Sequence, residues 1–175
     1  MEPVRLTLAC GNYDRTRALI EGTVKPKGVD LTYVQDTPHH LFERVLIDGE
    51  FDAAEMSVSN LTTLVARGDR RFIGLPVFPS RVFRHGYIFV NPDAGIKKPE
   101  DLIGRRVGVP EYSMTAAVWI RALLQHDYRV KPSQIHWFTG GLDRPGKKNR
   151  IEIDLPGDIR VDPISSAATY AACSL

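Results

Sequence analysis

The sequence alternates strand-like segments with helical segments, and this alternation constrains the fold more than any other feature. The segments at 4–10 and 28–35, "VRLTLAC" and "GVDLTYVQ", have the apolar content and the two-residue period of strands. The segments at 13–22 and 38–50 that follow them have helical patterns, and Pro38 marks the start of the second. Strands that alternate with helices favour a parallel sheet, because each parallel connection must cross the sheet. We therefore predict an α/β fold.

The alternation continues along the chain and restarts after a break. In the first part we predict a short strand, a helix and two further strand-like segments, at 51–57, 57–68, 71–79 and 86–92. The segment 91–104 is rich in Pro, Gly and charge, which is typical of a linker. After it we predict a strand, a helix and a strand, at 105–110, 113–128 and 135–140. Two lobes are therefore expected, residues 1–92 and residues 93–175.

The composition excludes several classes of protein. With 43% hydrophobic residues, 25% charged residues and a net charge of +2, the chain resembles a soluble globular protein and not a nucleic-acid binder. No apolar run is long enough to cross a membrane. The N-terminal segment "MEPVRLTLACG" lacks the long apolar stretch of a signal peptide, so we expect a cytoplasmic location. The basic loop 140–150 is expected to be a solvated surface.

Neither a metal site nor a nucleotide site is predicted. Cys10 and Cys173 lie too far apart in sequence to indicate a disulfide framework or a zinc site. His39 and Glu43 have the spacing of two ligands on a helix, but no third ligand follows them. The phosphate-binding patterns GxGxxG and GxxxxGK do not occur.

Three predicted turns from a strand into a helix carry polar residues that could bind a ligand. In open α/β sheets, ligands bind beyond the carboxyl ends of the strands, and a helix N-terminus favours an anion there. The candidate contacts in these turns are Asn12, Glu55, Ser57, Glu111, Tyr112, Ser113 and Thr115. The alternative is that Asp14, Ser57 and Ser113 only cap the helices that they precede.

The stretch "VFPSRVFRHG" at 77–86 places three possible cations, Arg81, Arg84 and His85, in an otherwise apolar segment. Buried cations need an anion, because leaving them unpaired is expensive. The guanidinium groups can grip a carboxylate at two points. The alternative is that the two arginines pair with internal acids, such as Glu55 and Glu111.

Long blocks of the sequence resemble the 4,5-dihydroxyphthalate decarboxylase family. The resemblance runs from about Leu6 to about Val161, and its most specific blocks are "PVFPSRVFRH" and "GVPEYSMTAAVW". Members of that family resemble the two-lobed type 2 periplasmic binding proteins in fold and are nearly twice as long as this chain. The resemblance therefore implies a type 2 periplasmic-binding-protein-like fold whose C-terminal half is missing here.

The resemblance also implies an activity and a set of roles. The reaction would be decarboxylation of a dihydroxylated aromatic dicarboxylate, from 4,5-dihydroxyphthalate to protocatechuate. Arg81 and Arg84 would hold a substrate carboxylate, and His85 would protonate the ring carbon. Glu111 would be the second catalytic group, since it or Tyr112 would contact the ring hydroxyl.

The remaining implications concern binding, cofactors and partners. Phe83 or Tyr112 would pack on the substrate ring, and the three polar turns would face the ligand. No cofactor is expected, because the ring hydroxyl supplies the electrons for the reaction, and the expected partner is a small aromatic dicarboxylate. The sequence leaves open whether the chain forms a homo-oligomer.

Two other functions remain open at this point. The chain could be a solute-binding protein for an aromatic or dicarboxylic acid that serves an ABC-type transporter, in which the same arginines bind without turnover. It could also be a non-functional truncated fragment.

Overall fold

The computed structural model describes residues 2–141 and 150–164. The chain divides into two compact units, Met1–Val82 and Phe83–Leu175. The break predicted over 91–104 lies inside the second unit, where Pro92–Ala94 and Pro99–Leu102 form short 3-10 turns.

The first unit is built on a parallel sheet of three strands in the order β2-β1-β3. Its elements in chain order are β1 (Val4–Cys10), α1 (Arg17–Ile20), β2 (Val29–Gln35), α2 (Pro38–Glu43), β3 (Ala53–Ala54) and α3 (Val58–Ala66). The parallel pairing of β1 with β2 and with β3 confirms the parallel α/β prediction for this part of the chain.

The strand order of this sheet determines where its polar turns lie. Because β1 is central, the chain passes to one side of β1 for β2 and to the other side for β3. The turns that leave β1 and β3 therefore lie next to each other, at the point where ligands bind in open α/β sheets. The backbone N–H of Glu55 donates to the carbonyl of Ala9 at 2.8 Å and extends the pairing to this edge.

Burial of apolar side chains holds the sheet and the second helix together. Leu41 on α2 is fully buried, as is Ala9 on β1. Val45 and Leu46 are buried on the π-helical turn Arg44–Asp48 that continues α2. The buried side chains recur three to four residues apart, which is the spacing of one helical face.

The second unit is built on another parallel sheet, in the order β4-β5-β6. Its strands are β4 (Arg106–Val109), β5 (His136–Thr139) and β6 (Arg160–Pro163), and its long helix is α4 (Thr115–Tyr128). The core lies around Trp137, which is fully buried. Leu124 of α4 and Val130 after it are buried in the same cluster.

The two strands predicted at 71–79 and 86–92 do not form. The first has no regular structure, and the second holds only the end of one 3-10 turn, Arg84–Tyr87, and the first residue of the next, Pro92–Ala94. Ile73 is 89% exposed and Phe89 is 86% exposed, so the apolar pattern of these segments does not reflect burial here. A strand needs a neighbour for its backbone groups, and among the described residues no strand pairs with either segment. Proline also removes backbone donors from the first segment.

None of the helices in the described residues has the length and apolar character needed to span a membrane.

Candidate ligand-binding site

The first polar cluster surrounds the carboxylate of Glu55, directly after β3. This side chain is 9% exposed. Its Oε1 accepts a hydrogen bond of 2.7 Å from the Tyr13 hydroxyl, and its Oε2 accepts one of 3.1 Å from the Gly11 backbone N–H. The Cys10 thiol lies 3.6 Å from Oε2. All these donors come from the turn that leaves β1, so the adjacency of β1 and β3 creates the cluster.

Gly11 allows the Tyr13 ring to lie where it does. A Cβ added to Gly11 would come within 2.8 Å of the Tyr13 ring, closer than real Cβ contacts allow. Any other residue would therefore move the ring and lengthen the Tyr13–Glu55 hydrogen bond.

The hydrogen-bond donors near Glu55 keep their protons. Burial, together with the Glu55 carboxylate, raises the pKa of Tyr13 well above its ordinary value. Burial raises the pKa of the Cys10 thiol. Burial also raises the pKa of Tyr33 to about 12, and the Tyr33 hydroxyl donates to the Gly11 carbonyl at 3.0 Å. Neutral donors therefore surround Glu55 near neutral pH.

The N-terminus of α3 lies two residues after Glu55. Ser57 is the N-cap, and its hydroxyl accepts from the Asn60 backbone N–H at 3.4 Å, which confirms the capping alternative for Ser57. The same hydroxyl is 3.0 Å from that of Ser59. The Asn60 side chain is 1% exposed, and its amide has no hydrogen-bond partner among the described residues.

The segment 79–81 packs against the turn that carries Tyr13. The Arg15 guanidinium donates to the Pro79 carbonyl, and the Ser80 side chain acts to lower the pKa of Tyr13 against the larger effect of burial. Arg81 follows directly and is exposed, and its Nε donates to the Phe78 carbonyl at 3.1 Å. The first unit therefore has a cation two residues after Pro79, which is bound to the turn that carries Tyr13.

The second polar cluster surrounds Glu111, directly after β4. Its Oε2 accepts from Nε of Arg150 at 3.0 Å and lies 2.9 Å from Nη2 of the same guanidinium. Its Oε1 accepts from the Arg150 backbone N–H at 3.2 Å and from the Ser113 hydroxyl at 2.7 Å. Because β4 pairs with β5, the chain that follows β5 returns beside the end of β4 and brings Arg150 there.

Arg150 is a site residue that the sequence did not predict. Its side chain is only 12% exposed, so the expectation that the loop 140–150 is a solvated surface is wrong for this residue. Residues 142–149 of that loop lie outside the described residues. One Arg in a basic loop carries no signal of its own, because its partner is 39 residues away in sequence.

Two further residues of the third predicted turn have local roles. Met114, not Ser113, is the N-cap of α4, so the capping alternative is wrong for Ser113. Thr115 is the first residue of the helix. Of the first turn, Asn12 is exposed, and Asp14 begins a 3-10 turn whose N-cap is Tyr13, so capping by Asp14 is also wrong.

Tyr112 lies in the core of the second unit and not on its surface. It is 3% exposed, the Arg121 guanidinium lies 3.6 Å from its ring centroid, and Trp137 meets it edge-on at 5.8 Å. Burial raises the pKa of Tyr112 and lowers the pKa of Arg121. The predicted contact between Tyr112 and a substrate ring would require this packing to open.

Arg84 and His85 begin the 3-10 turn Arg84–Tyr87 of the second unit. The Arg84 guanidinium lies 5.4 Å from the ring centroid of Tyr87, and the exposed His85 meets Tyr128 edge-on at 6.4 Å. Phe83 is 90% exposed just before them.

The arginines of the stretch 77–86 are not neutralised by the strand-end glutamate of their own unit. Among the described residues, no carboxylate of the same unit forms an ion pair with Arg81 or with Arg84. Glu55 is bound by neutral donors, and the partner of Glu111 is Arg150. Within each unit the alternative of internal pairing is therefore wrong, because Arg81 does not pair with Glu55 and Arg84 does not pair with Glu111.

Parallel sheets whose strands end in polar turns define an α/β fold that offers ligand-binding positions beyond its strand ends. The family comparison agrees with this class. Residues 18–144 match the family described as NMT1/THI5 like, and the chain belongs to this family. The match and the two parallel sheets confirm the predicted periplasmic-binding-protein-like α/β fold class.

Curated relatives carry a more specific name. The chain is 43% identical over 156 residues to a 4,5-dihydroxyphthalate decarboxylase of Comamonas testosteroni, which covers 89% of this chain and 47% of the relative. It is 40% identical over 171 residues to a 4,5-dihydroxyphthalate decarboxylase of Pseudomonas putida, which covers 98% of this chain and 66% of the relative. These matches confirm the resemblance, and the chain spans about half to two thirds of the length of these relatives.

Proposed function

We propose that the chain is a carboxy-lyase that removes one carboxylate from a dihydroxylated aromatic dicarboxylate of the 4,5-dihydroxyphthalate type, in the breakdown of aromatic compounds. The observation that carries the proposal is the identity to relatives of that name over 89% and 98% of this chain. The match over 98% of this chain spans both polar clusters and the stretch 77–86.

The charges of the described residues support a dianionic substrate. Arg81 and Arg84 are the arginines of the block "PVFPSRVFRH", and neither has a carboxylate partner among the described residues of its own unit. A carboxylate that binds a guanidinium at two points is held by charge attraction and in a fixed orientation. The exposed ring of Phe83 lies between them in sequence and is available to an aromatic substrate.

The proposed reaction requires only proton transfers from the protein. A proton adds to the ring carbon that bears the leaving carboxylate. The bond between that carbon and the carboxylate then breaks, its electron pair stays with the ring, and carbon dioxide leaves. An ionised ring hydroxyl makes the first step easier, because its negative charge increases the electron density at the carbon that accepts the proton. His85 as the proton donor stays a prediction, and so does the cytoplasmic location.

Incubation of this chain with 4,5-dihydroxyphthalate tests the proposal. We expect release of carbon dioxide with equal amounts of protocatechuate, measured by gas detection and chromatography. Absence of release at any substrate concentration would contradict a decarboxylase. Tight binding of the dicarboxylate without release would instead favour the solute-binding alternative, and subcellular fractionation would then test its location.

A further inference from the structure

Glu55 has no cationic partner in the described part of its unit, unlike Glu111, the other buried carboxylate of the described residues. Its hydrogen-bond donors are the Gly11 N–H, the Tyr13 hydroxyl and the Cys10 thiol, all neutral. Among the described residues of the first unit no Lys, Arg or His forms an ion pair with it. A carboxylate that no cation neutralises is a good candidate for a proton acceptor.

Tyr13 is the more exposed member of the pair, and its geometry selects what can bind to it. Its O–H is donated to Glu55 at 2.7 Å, so its oxygen can only accept further hydrogen bonds. An ionised carboxylate has no proton to donate, and the negative charge of Glu55 would repel it. A ring hydroxyl has a proton to donate to the Tyr13 oxygen, and it is neutral, so the charge of Glu55 does not repel it.

We propose, on the basis of the function proposed above, that Tyr13 contacts a ring hydroxyl of the substrate and relays its proton to Glu55. Tyr13 is then a catalytic residue that the sequence did not predict, and Glu55 acts through it as the proton acceptor. Arg81, one residue after Ser80, binds a substrate carboxylate from the same unit.

The relay is balanced in protons and electrons. The substrate hydroxyl gives its proton to the Tyr13 oxygen while Tyr13 gives its own proton to the Glu55 carboxylate. The phenolate that results directs electron density to the ring carbon, which takes a proton and then loses carbon dioxide. The proton on Glu55 returns through Tyr13 to the ring oxygen, so both residues end as they began. The raised pKa of Tyr13 agrees with this role, because a tyrosine that stays protonated passes a proton on without resting as an anion.

The other strand-end glutamate is less suited to this role. Two nitrogens of the Arg150 guanidinium hold Oε2 of Glu111, and the Ser113 hydroxyl and the Arg150 backbone hold Oε1. Both oxygens of each glutamate accept hydrogen bonds, but only Glu111 has a cation among its partners.

The test is Tyr13→Phe in this chain, with Tyr33→Phe as the matched control. Tyr33 belongs to the same unit and its hydroxyl donates to the Gly11 carbonyl, but it is not part of the relay. We expect Tyr13→Phe to lower kcat by at least about a hundredfold, the usual contribution of a general base. KM should change little, and the remaining turnover should rise with pH as hydroxide replaces the relay. A defect in folding alone would not produce this pH dependence.

A second readout does not depend on turnover. Binding of 4,5-dihydroxyphthalate to the unmodified chain should shift the ultraviolet spectrum of its ring toward that of the phenolate, and Tyr13→Phe should abolish the shift. Circular dichroism checks the fold of the variant, and Glu55→Gln replaces it if Tyr13→Phe does not fold. Normal turnover by folded Tyr13→Phe would overturn the relay and leave the proposed function standing. Failure of the unmodified chain to release carbon dioxide would overturn the proposed function, and an unshifted spectrum would then overturn the relay as well.

Discussion

Glu55 and Glu111 occupy matching places in the two units and have different surroundings. Each follows a parallel strand, and their exposures are 9% and 7%. Glu55 accepts hydrogen bonds from neutral groups, whereas Glu111 forms a buried ion pair with Arg150 at 2.9 Å. Equal burial therefore does not mean equal chemistry. The difference lies in which part of the chain returns beside the strand end.

Strand order explains this difference. In the first sheet β1 is central, so the turns after β1 and β3 meet and place Tyr13 on Glu55. In the second sheet the strands follow one another as β4-β5-β6, so the segment after β5 returns beside the end of β4. That segment supplies Arg150, which binds Glu111 at both oxygens. The first arrangement leaves Glu55 able to accept a proton. The second arrangement forms the Glu111–Arg150 ion pair, which stabilises the fold of the second unit.

The largest predicted effect is on the Glu111–Arg150 pair. Arg150→Ala leaves a buried carboxylate without its cation, and we expect the free energy of unfolding to fall by about 3–5 kcal/mol. Denaturant unfolding followed by circular dichroism measures the change. The control is Arg160→Ala, since Arg160 is 71% exposed and pairs with Asp162 at the surface. A loss equal to that of the control would show that the pair has no structural role.

The next effect concerns the cations that have no internal carboxylate partner. Arg84→Ala should weaken the binding of a dicarboxylate by about ten- to a hundredfold, because a charged hydrogen bond contributes roughly 1.5–3 kcal/mol. Arg84→Lys should restore only part of the affinity, since an ammonium cannot make the two-point contact. Isothermal titration calorimetry measures both, with Arg44→Ala as the control because Glu50 already pairs with Arg44. Unchanged affinity in Arg84→Ala would contradict the role of Arg84.

Much of the fold was predictable from the sequence, because strands and helices have local periods. The predicted strand at 4–10 coincides with β1, and the predicted helix at 57–68 contains α3. The strands predicted at 71–79 and 86–92 are wrong, because a local pattern does not show whether a strand will have a neighbour.

The candidate site was predicted only in part, for a related reason. Glu55 and Glu111 could be named because they end strands, but their partners depend on strand order. Tyr13 is 42 residues from Glu55 in sequence, and no sequence pattern around either residue indicates that the two form a hydrogen bond. The one local signal is Gly11, whose lack of a side chain leaves room for the Tyr13 ring.

A smaller effect separates two tyrosines. Tyr13→Phe removes a hydrogen bond to a carboxylate and should lower the free energy of unfolding by about 1.5 kcal/mol. Tyr112→Phe removes a buried hydroxyl that has no partner among the described residues, and should leave stability unchanged or raise it by up to about 1 kcal/mol. Denaturant unfolding of both variants measures the difference. A loss in Tyr112→Phe as large as that in Tyr13→Phe would remove the distinction between them.

The effect that is smallest at neutral pH appears only in alkali. An unfolded tyrosine has a pKa of about 10, whereas burial raises the pKa of Tyr33 to about 12 in the folded chain. A raised pKa means that the stabilisation is complete below pH 10 and is lost as the pH rises towards 12. Unfolding free energies at pH 9, 10, 11 and 12 should therefore decline, and the decline should be smaller in Tyr33→Phe. An equal decline in the two proteins would contradict the shift.

The most direct test of the contrast between the two carboxylates is to compare Glu55→Gln with Glu111→Gln for both stability and turnover. Glu111→Gln leaves the Arg150 guanidinium buried without its anion, so the free energy of unfolding should fall by about 3 kcal/mol or more. Glu55→Gln exchanges one hydrogen-bonded group for another of the same size and should lower it by only about 1 kcal/mol, while kcat falls by about a hundredfold or more. Equal losses of stability in the two variants, or normal turnover in Glu55→Gln, would contradict this account.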